Sequence, residues 1–237
     1  MHVYREWLRT GGSRAVLHRG LTQWLETHEG HPATGRVLAR WLKSGGDLAT
    51  VRGFLVAWAR HNDTQRDADL VYRKWLAAGG DIAAVRQPVQ AWLGKHKSEA
   101  TARYMFSSWL EAGGDRSEIA ESLKSWLTVH QKALEACFVF PRWLEHTHQC
   151  DFIEPFIRSW IEVNSAAFDA RFVYETWLAA GGSREIAREP ICRWLAEHEK
   201  TSEARFVYNA WFDSTREVEF LRASFSRWLL LHDTEFE

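Results

Sequence analysis

Residues 68–81 read Ala-Asp-Leu-Val-Tyr-Arg-Lys-Trp-Leu-Ala-Ala-Gly-Gly-Asp, and residues 85–96 read Val-Arg-Gln-Pro-Val-Gln-Ala-Trp-Leu-Gly-Lys-His. Trp75 and Trp92 stand seventeen residues apart. That interval runs without insertion through all fourteen tryptophans, from Trp7 and Trp24 to Trp211 and Trp228, and no tryptophan lies off the grid. A fixed interval of this kind marks an internal repeat, which outranks local signals in deciding architecture. The two stretches alternate along the chain as A and B segments, so the true period is thirty-four residues and seven pairs fill the 237 residues.

Each segment has the pattern of a helix. In A, Ala68, Ala102, Ala136, Ala170 and Ala204 lie seven before Trp. Val71, Met105, Val139, Val173 and Val207 lie four before, and Tyr72, Phe106, Phe140, Tyr174 and Tyr208 three before. In B, Leu21, Leu55, Val89, Leu123, Ile157, Ile191 and Phe225 lie three before. These offsets form one apolar stripe at helical spacing. Four after Trp, A segments carry Gly11, Gly45, Gly79, Gly113 and Gly181, and B segments carry His28, Asn62, His96, His130, Asn164, His198 and His232. Gly, Asn and His tolerate positive φ, so this position is expected to be the left-handed residue past each helix end. Ser13, Asp47, Asp81, Asp115 and Ser183 are expected to cap the B helices, and Thr64, Ser98, Ser165 and Ser202 the A helices. The expectation is an all-α solenoid, a single array over 1–237 of about fourteen helices in seven pairs. The pairs are near 1–31, 32–65, 66–99, 100–133, 134–167, 168–201 and 202–237. At ~10 Å per layer it would be a superhelix roughly 70 Å long.

The thirty-four-residue helix–turn–helix period resembles the tetratricopeptide repeat. Gly46-Asp47, Gly80-Asp81 and Gly114-Asp115 fall where that family carries Gly-Asp, and Leu123 falls on its aromatic position in the second helix. The Ala-Arg-Phe-Val-Tyr stretches at 170–174 and 204–208 are similar to the motif of half-a-tetratricopeptide repeats, where it belongs to the second helix. Two features depart from the family. Trp109 and Trp126 occupy positions it keeps small, and its proline after the second helix is missing. The resemblance implies a non-enzymatic scaffold that holds a peptide or protein on its concave face.

Composition narrows the function classes. Thirty basic and thirty-one acidic side chains give a net charge of −1, without a Lys/Arg-rich run, which opposes a nucleic-acid partner. Cys137, Cys150 and Cys192 are an odd set without framework spacing and suit a reducing, cytoplasmic setting. No apolar run reaches the ~18 residues of a membrane span. Near-identical copies, Trp-Leu-Ala-Ala-Gly-Gly at 75–80 and 177–182, suggest recent duplication of the kind found in recognition regions of modular proteins. Met1 lies six residues before Trp7, and the chain stops where another A segment would begin. That pattern is read as a piece of a longer protein, or as a chain whose ends associate.

Candidate sites follow from what the apolar stripe leaves over. The tryptophans belong to the core rather than to a ligand ladder. The His/Asn positions are a repeat apart, too far to share a metal ion. The fifth A segment, residues 136–150, loses Gly-Gly, gains Pro141 and places His146, His148 and Cys150 in alternation. These three are a weak metal candidate against simple repeat decay, and no cofactor is expected. Pro88, Pro155 and Pro190 should bend or restart B helices. Arginines six before Trp (Arg52, Arg86, Arg188 and Arg222 in B, Arg103, Arg171 and Arg205 in A) could form an anion ladder, or cover aromatics and pair with carboxylates.

Offsets −8, −5, −1 and +2 from each A tryptophan define a second face. At −5 stand Leu70, Tyr104, Phe138, Phe172 and Phe206, and at −1 stand Lys74, Ser108, Arg142 and Thr176. Asp67, Glu135, Asp169 and Glu203 occupy −8. Either the −5 aromatics only pack between adjacent A helices, or they line an apolar trough with acidic caps that suits a peptide carrying basic and apolar residues. An RNA- or DNA-binding array and a structural or oligomerisation spacer are the alternatives.

Overall fold

The computed structural model describes residues 14–232, so Trp7, Gly11 and Ser13 lie outside it. The chain divides into two compact units, Met1–Lys97 and Ser98–Glu237. In the first stand α1 (Arg14–Thr27), α2 (Pro32–Lys43), α3 (Leu48–Asn62), α4 (Ala68–Ala77) and α5 (Arg86–His96). In the second stand α6 (Ala102–Glu111), α7 (Ala120–His130), α8 (Val139–Thr147), α9 (Cys150–Asn164), α10 (Ala170–Ala179), α11 (Arg184–His198), α12 (Ala204–Thr215) and α13 (Val218–His232). Even-numbered helices are A segments and odd-numbered ones B segments. A helices stack on A helices: α2 on α4 in the first unit, and α6, α8, α10 and α12 in succession in the second. Each unit is therefore a stack of helix–turn–helix pairs.

Tryptophan fills the core of both stacks. Every one from Trp58 to Trp228 is buried, whereas Trp24 and Trp41, near the start of the described stack, are only half-buried. Interior Trp→Ala changes should cost about 3–5 kcal/mol.

The A-to-B turn shows why two glycines are needed. Gly45, Gly79, Gly113 and Gly181 have φ of 75°, 81°, 78° and 81°, the left-handed conformation expected of them. The Gly80 N–H reaches back to the Trp75 carbonyl at 3.0 Å, closing the helix end in the Schellman manner. The second glycine answers to the indole instead. A Cβ on Gly46, Gly80, Gly114 or Gly182 would lie 2.3, 2.2, 2.3 or 2.2 Å from the ring of Trp41, Trp75, Trp109 or Trp177.

Two pairs make the turn without glycine. Their A helices run two residues further, to Thr147 and Thr215, and the left-handed residue falls one position later, at His148 (φ 53°) and Arg216 (φ 57°). Thr147 and Thr215 donate their hydroxyls to the carbonyls of Trp143 (2.7 Å) and Trp211 (2.8 Å) and accept from the N–H of Gln149 and Glu217. Phe152 and Phe220 then lie against Trp143 and Trp211, with ring centroids 4.4 and 4.7 Å apart.

Several local expectations need correction. No B-segment His or Asn has positive φ among the described residues. From Asn62 onward they sit at the last residue of the B helix, where their side chains have another task. Asp47, Asp81 and Asp115 accept N–H bonds as expected. Asp81 and Asp115, however, cap single 3-10 turns at Ile82–Ala84 and Arg116–Glu118, after which α5 and α7 begin. Pro88 thus falls in the first turn of α5, where no helical N–H bond is lost, while Pro155 and Pro190 lie inside α9 and α11. Ser183 precedes α11 without a side-chain cap bond. Thr64, Ser98, Ser165 and Ser202 do not cap A helices. Asp67, Thr101, Asp169 and Glu203 directly precede them, also without cap bonds. Consecutive backbone turns, such as Gln65 N–H to Asn62 and Ala68 N–H to Gln65, supply the donors' partners there.

Gly80→Ala should destabilise by about 1–3 kcal/mol, because the Trp75 ring cannot yield inside a packed core. Gly53→Ala, inside α3 with nothing within 4 Å of an added Cβ, should stabilise by about 0.5–1 kcal/mol. Urea denaturation of the two variants reads both signs.

Candidate functional site

Much of the polar chemistry in each pair is consumed by holding connectors. The indole N–H of each described A tryptophan donates to the carbonyl six residues on. Asp47, Asp81, Asp115, Gln149, Ser183 and Glu217 accept at 2.8–3.2 Å. B tryptophans donate to the connector twenty-seven residues back: Trp92 to Gln65, Trp126 to Glu99, Trp160 to Ala133, Trp194 to Ala167 and Trp228 to Thr201. From Asn62 to His198 the His or Asn four after the B tryptophan reaches the same connector, whereas Nδ1 of His28 and His232 meets the tryptophan carbonyl of its own helix. Nε2 of His96, His130 and His198 lies 2.9, 2.8 and 2.7 Å from the carbonyls of Thr64, Ser98 and Ala166, so Nε2 carries the proton. Asn62 and Asn164 use one amide nitrogen for two carbonyls, Gly30 and Trp58, and Lys132 and Trp160. These residues belong to the scaffold.

The A-helix face opposite the tryptophans is the part left free. In the first unit Leu70 is exposed and Lys74 half-buried; neither is joined to the other by a described contact. In the second unit Tyr104, Phe138 and Phe206 are exposed, and Phe172, Ser108 and Thr176 are half-buried. The structure brings Phe138 and Phe172 together at 6.5 Å between centroids. Thr176 is spent on its own helix, donating to the Phe172 carbonyl at 2.7 Å. Arg142 pairs with Glu111 at 3.2 Å and Glu145 at 2.9 Å.

The A-segment arginines lie over aromatic rings. Arg103 sits 4.5 Å above the Tyr104 ring and donates to its hydroxyl, and Arg205 sits 4.7 Å above Phe206. Arg171 lies over both Phe168 (4.1 Å) and Phe172 (4.4 Å). B-segment arginines pair with carboxylates: Arg52 with Asp81 at 2.7 Å, Arg188 with Glu217 at 3.0 Å while also lying 4.2 Å over the Phe220 ring, and Arg222 with Glu219 at 3.2 Å. Arg52, Arg103, Arg171, Arg188, Arg205 and Arg222 of the candidate anion ladder are thus held by a ring or a carboxylate.

Phe168, nine before Trp177 and 40% exposed, belongs to this face and was missing from the sequence reading. It lies in the connector before α10, and extending the helical offsets one step upstream would have found it. Phe138, Phe172, Arg171 and Phe168 form one contiguous patch. Beneath it Arg171 Nη1 and Glu175 Oε1 are buried and unpartnered, and burial raises the Glu175 carboxyl against the opposing pull of Arg171.

His146, His148 and Cys150 do not converge. His148 is the left-handed residue ending α8, and Cys150 opens α9 with its thiol 3.5 Å from the Ala180 carbonyl. Among the described residues no three His, Cys, Asp or Glu are gathered to hold a metal ion, and no helix is long and apolar enough to cross a membrane. The three cysteines are unpaired. Compared with known protein families, curated proteins and solved structures, the chain matches none.

His130→Asn should preserve thermal stability, because an amide N–H serves the Ser98 carbonyl as Asn164 serves Lys132. His130→Leu, which removes that bond, should cost about 0.5–1.5 kcal/mol; equal melting temperatures for the two variants would refute the latch.

The cysteines supply an independent reading of burial. Burial first, then Asp169 and Glu135, pushes the Cys137 thiol up to about 12. Its stabilising contribution is complete below the unfolded thiol value of ~8.5 and is lost as pH climbs from there toward that raised value. A thiol reagent at about pH 8 should modify exposed Cys192 in the native protein and Cys137 only on unfolding.

Proposed function

We propose that this chain is a non-enzymatic helical-repeat scaffold that binds a protein or peptide segment on the exposed A-helix face. The observation that carries the reading is the pair Phe138 and Phe172, rings in contact, with Phe138 48% exposed on a surface the core does not use. Partly exposed aromatics backed by arginine have the composition of interface hot spots. The likeness to tetratricopeptide repeats supports the same face, because their Gly-Asp turn register is kept at Gly80-Asp81 and Gly114-Asp115. In this reading the tryptophan grid forms one array within a larger modular protein, and the unpaired cysteines suit a cytoplasmic setting. Nucleic acid is disfavoured, since the arginines of the face are stacked or paired rather than arrayed toward phosphates.

Selection of random peptides on the protein, with the Phe138→Ser/Phe172→Ser variant as counter-selection, tests the proposal. Convergent peptides that bind the native chain and lose about tenfold or more on the variant are expected. Both positions are exposed or half-exposed, so the variant should keep the native melting temperature. Peptides that bind both proteins equally, or no convergent set, would overturn the reading.

A further inference from the structure

Charge on the A face is not distributed evenly between its two signs. The guanidinium of Arg171 lies between the rings of Phe168 and Phe172, and that of Arg103 is turned onto Tyr104 and its hydroxyl. Arg142 is held by Glu111 and Glu145. These three cations are thus already covered. The carboxylates are not. Asp67 has Arg36 at 3.7 Å in its own unit, and Glu203 accepts from Ser202. Glu135 and Asp169, in successive A segments of the second unit, take part in neither an ion pair nor a side-chain hydrogen bond.

Glu135 lies three residues before Phe138, and Asp169 three before Phe172, the two rings that meet at 6.5 Å. Both also act on the thiol of Cys137, next in sequence to Phe138, which they help to raise. A carboxylate pair beside two adjoining, partly exposed phenyl rings offers a cation both a counter-charge and a quadrupole face. It gives an apolar neighbour of that cation a surface to cover.

Resting on the peptide-binding reading above, we infer that the partner is a peptide segment bearing a lysine or arginine next to a large apolar residue. The basic side chain enters between Glu135 and Asp169, and the apolar one lies on Phe138 and Phe172. Glu135 is exposed and Asp169 half-buried, so pairing with them does not require opening the core. An acidic segment would instead face two uncompensated carboxylates.

The probes are three short fluorescein-labelled peptides of equal length, alternating leucine with lysine, glutamine or glutamate, followed by fluorescence anisotropy on the whole chain. Tightest binding is expected for the lysine peptide. It should weaken about five- to tenfold on Glu135→Gln/Asp169→Asn and more at high salt, and be lost on Phe138→Ser/Phe172→Ser. Unchanged lysine-peptide affinity on Glu135→Gln/Asp169→Asn, or preference for the glutamate or glutamine peptide, overturns the cation subsite. If such a result comes with loss on Phe138→Ser/Phe172→Ser, the face itself still stands. If no peptide responds to the phenylalanine changes, the face fails together with the subsite.

Discussion

A buried indole must place its single N–H on an acceptor, and in this protein that acceptor is a connector carbonyl at a fixed distance along the chain. In the described A segments it lies six residues on, as from Trp75 to Asp81, and in B segments from Trp92 onward twenty-seven residues back, as from Trp194 to Ala167. One ring therefore fills the core and sets the length of a turn at once. An inserted residue in either connector would carry the carbonyl away from a desolvated donor, which costs about 1–3 kcal/mol and is felt with the core packing rather than apart from it. The absence of insertions along the whole tryptophan grid has this physical reason. The second glycine of each Gly-Gly turn follows from the same ring, because the indole that reaches across the turn occupies the space of a Cβ.

The one departure among buried B tryptophans makes the constraint visible. Trp58 Nε1 is buried without a partner. Its counterpart acceptor, twenty-seven back, would be the carbonyl of His31. There α2 begins at Pro32, two residues earlier relative to its tryptophan than α4, α6, α10 and α12 do, with the His31 ring capping Ala33 N–H. The His31 carbonyl accepts from Thr34 N–H at 2.9 Å and is drawn into the helix start. The earlier helix brings Gly35 against the Trp58 ring, at 2.4 Å from a would-be Cβ. Two extra helical residues were thus accommodated at the expense of one indole bond.

What sequence could and could not reveal divides along backbone and side-chain lines. Apolar spacing places every helix from α1 to α13, because burial of one face per turn depends only on residue order. The Gly-Gly turns were equally legible, since positive φ has a glycine signature. His and Asn at the ends of B helices misled, because the two residues share two properties: tolerance of left-handed φ and an N–H on a short side chain. Absence of glycine from that position in every B segment was the discriminating sign, since a left-handed site would accept it. On the A face, the −5 aromatics were found by offset alone. The contact of Phe138 with Phe172, the tying of Arg142 to two glutamates and the folding of Arg171 onto two rings depend on rotamers, which spacing does not encode.

The A face is set apart by repetition rather than by exposure alone, since Leu229, Leu230 and Leu231 at the end of α13 are also exposed. Connectors are occupied by indole and imidazole latches, and B-helix ends by the His and Asn that make them. The outward side of the B helices does expose apolar residues, Val129 and Val163 three after their tryptophans, but the equivalent positions in neighbouring pairs are Lys95 and Glu197. Isolated apolar side chains among charges are ordinary solvent-facing surface. The A face differs in kind: its apolar groups recur at the same offset in consecutive pairs, touch one another across pairs, and carry arginines bound to their rings. A repeat that must keep its tryptophans, glycines and latches fixed to remain folded has few positions left to vary, and those at −8 and −5 of the A segments are among them. Recognition that changes from one pair to the next can be built there without disturbing a single connector bond.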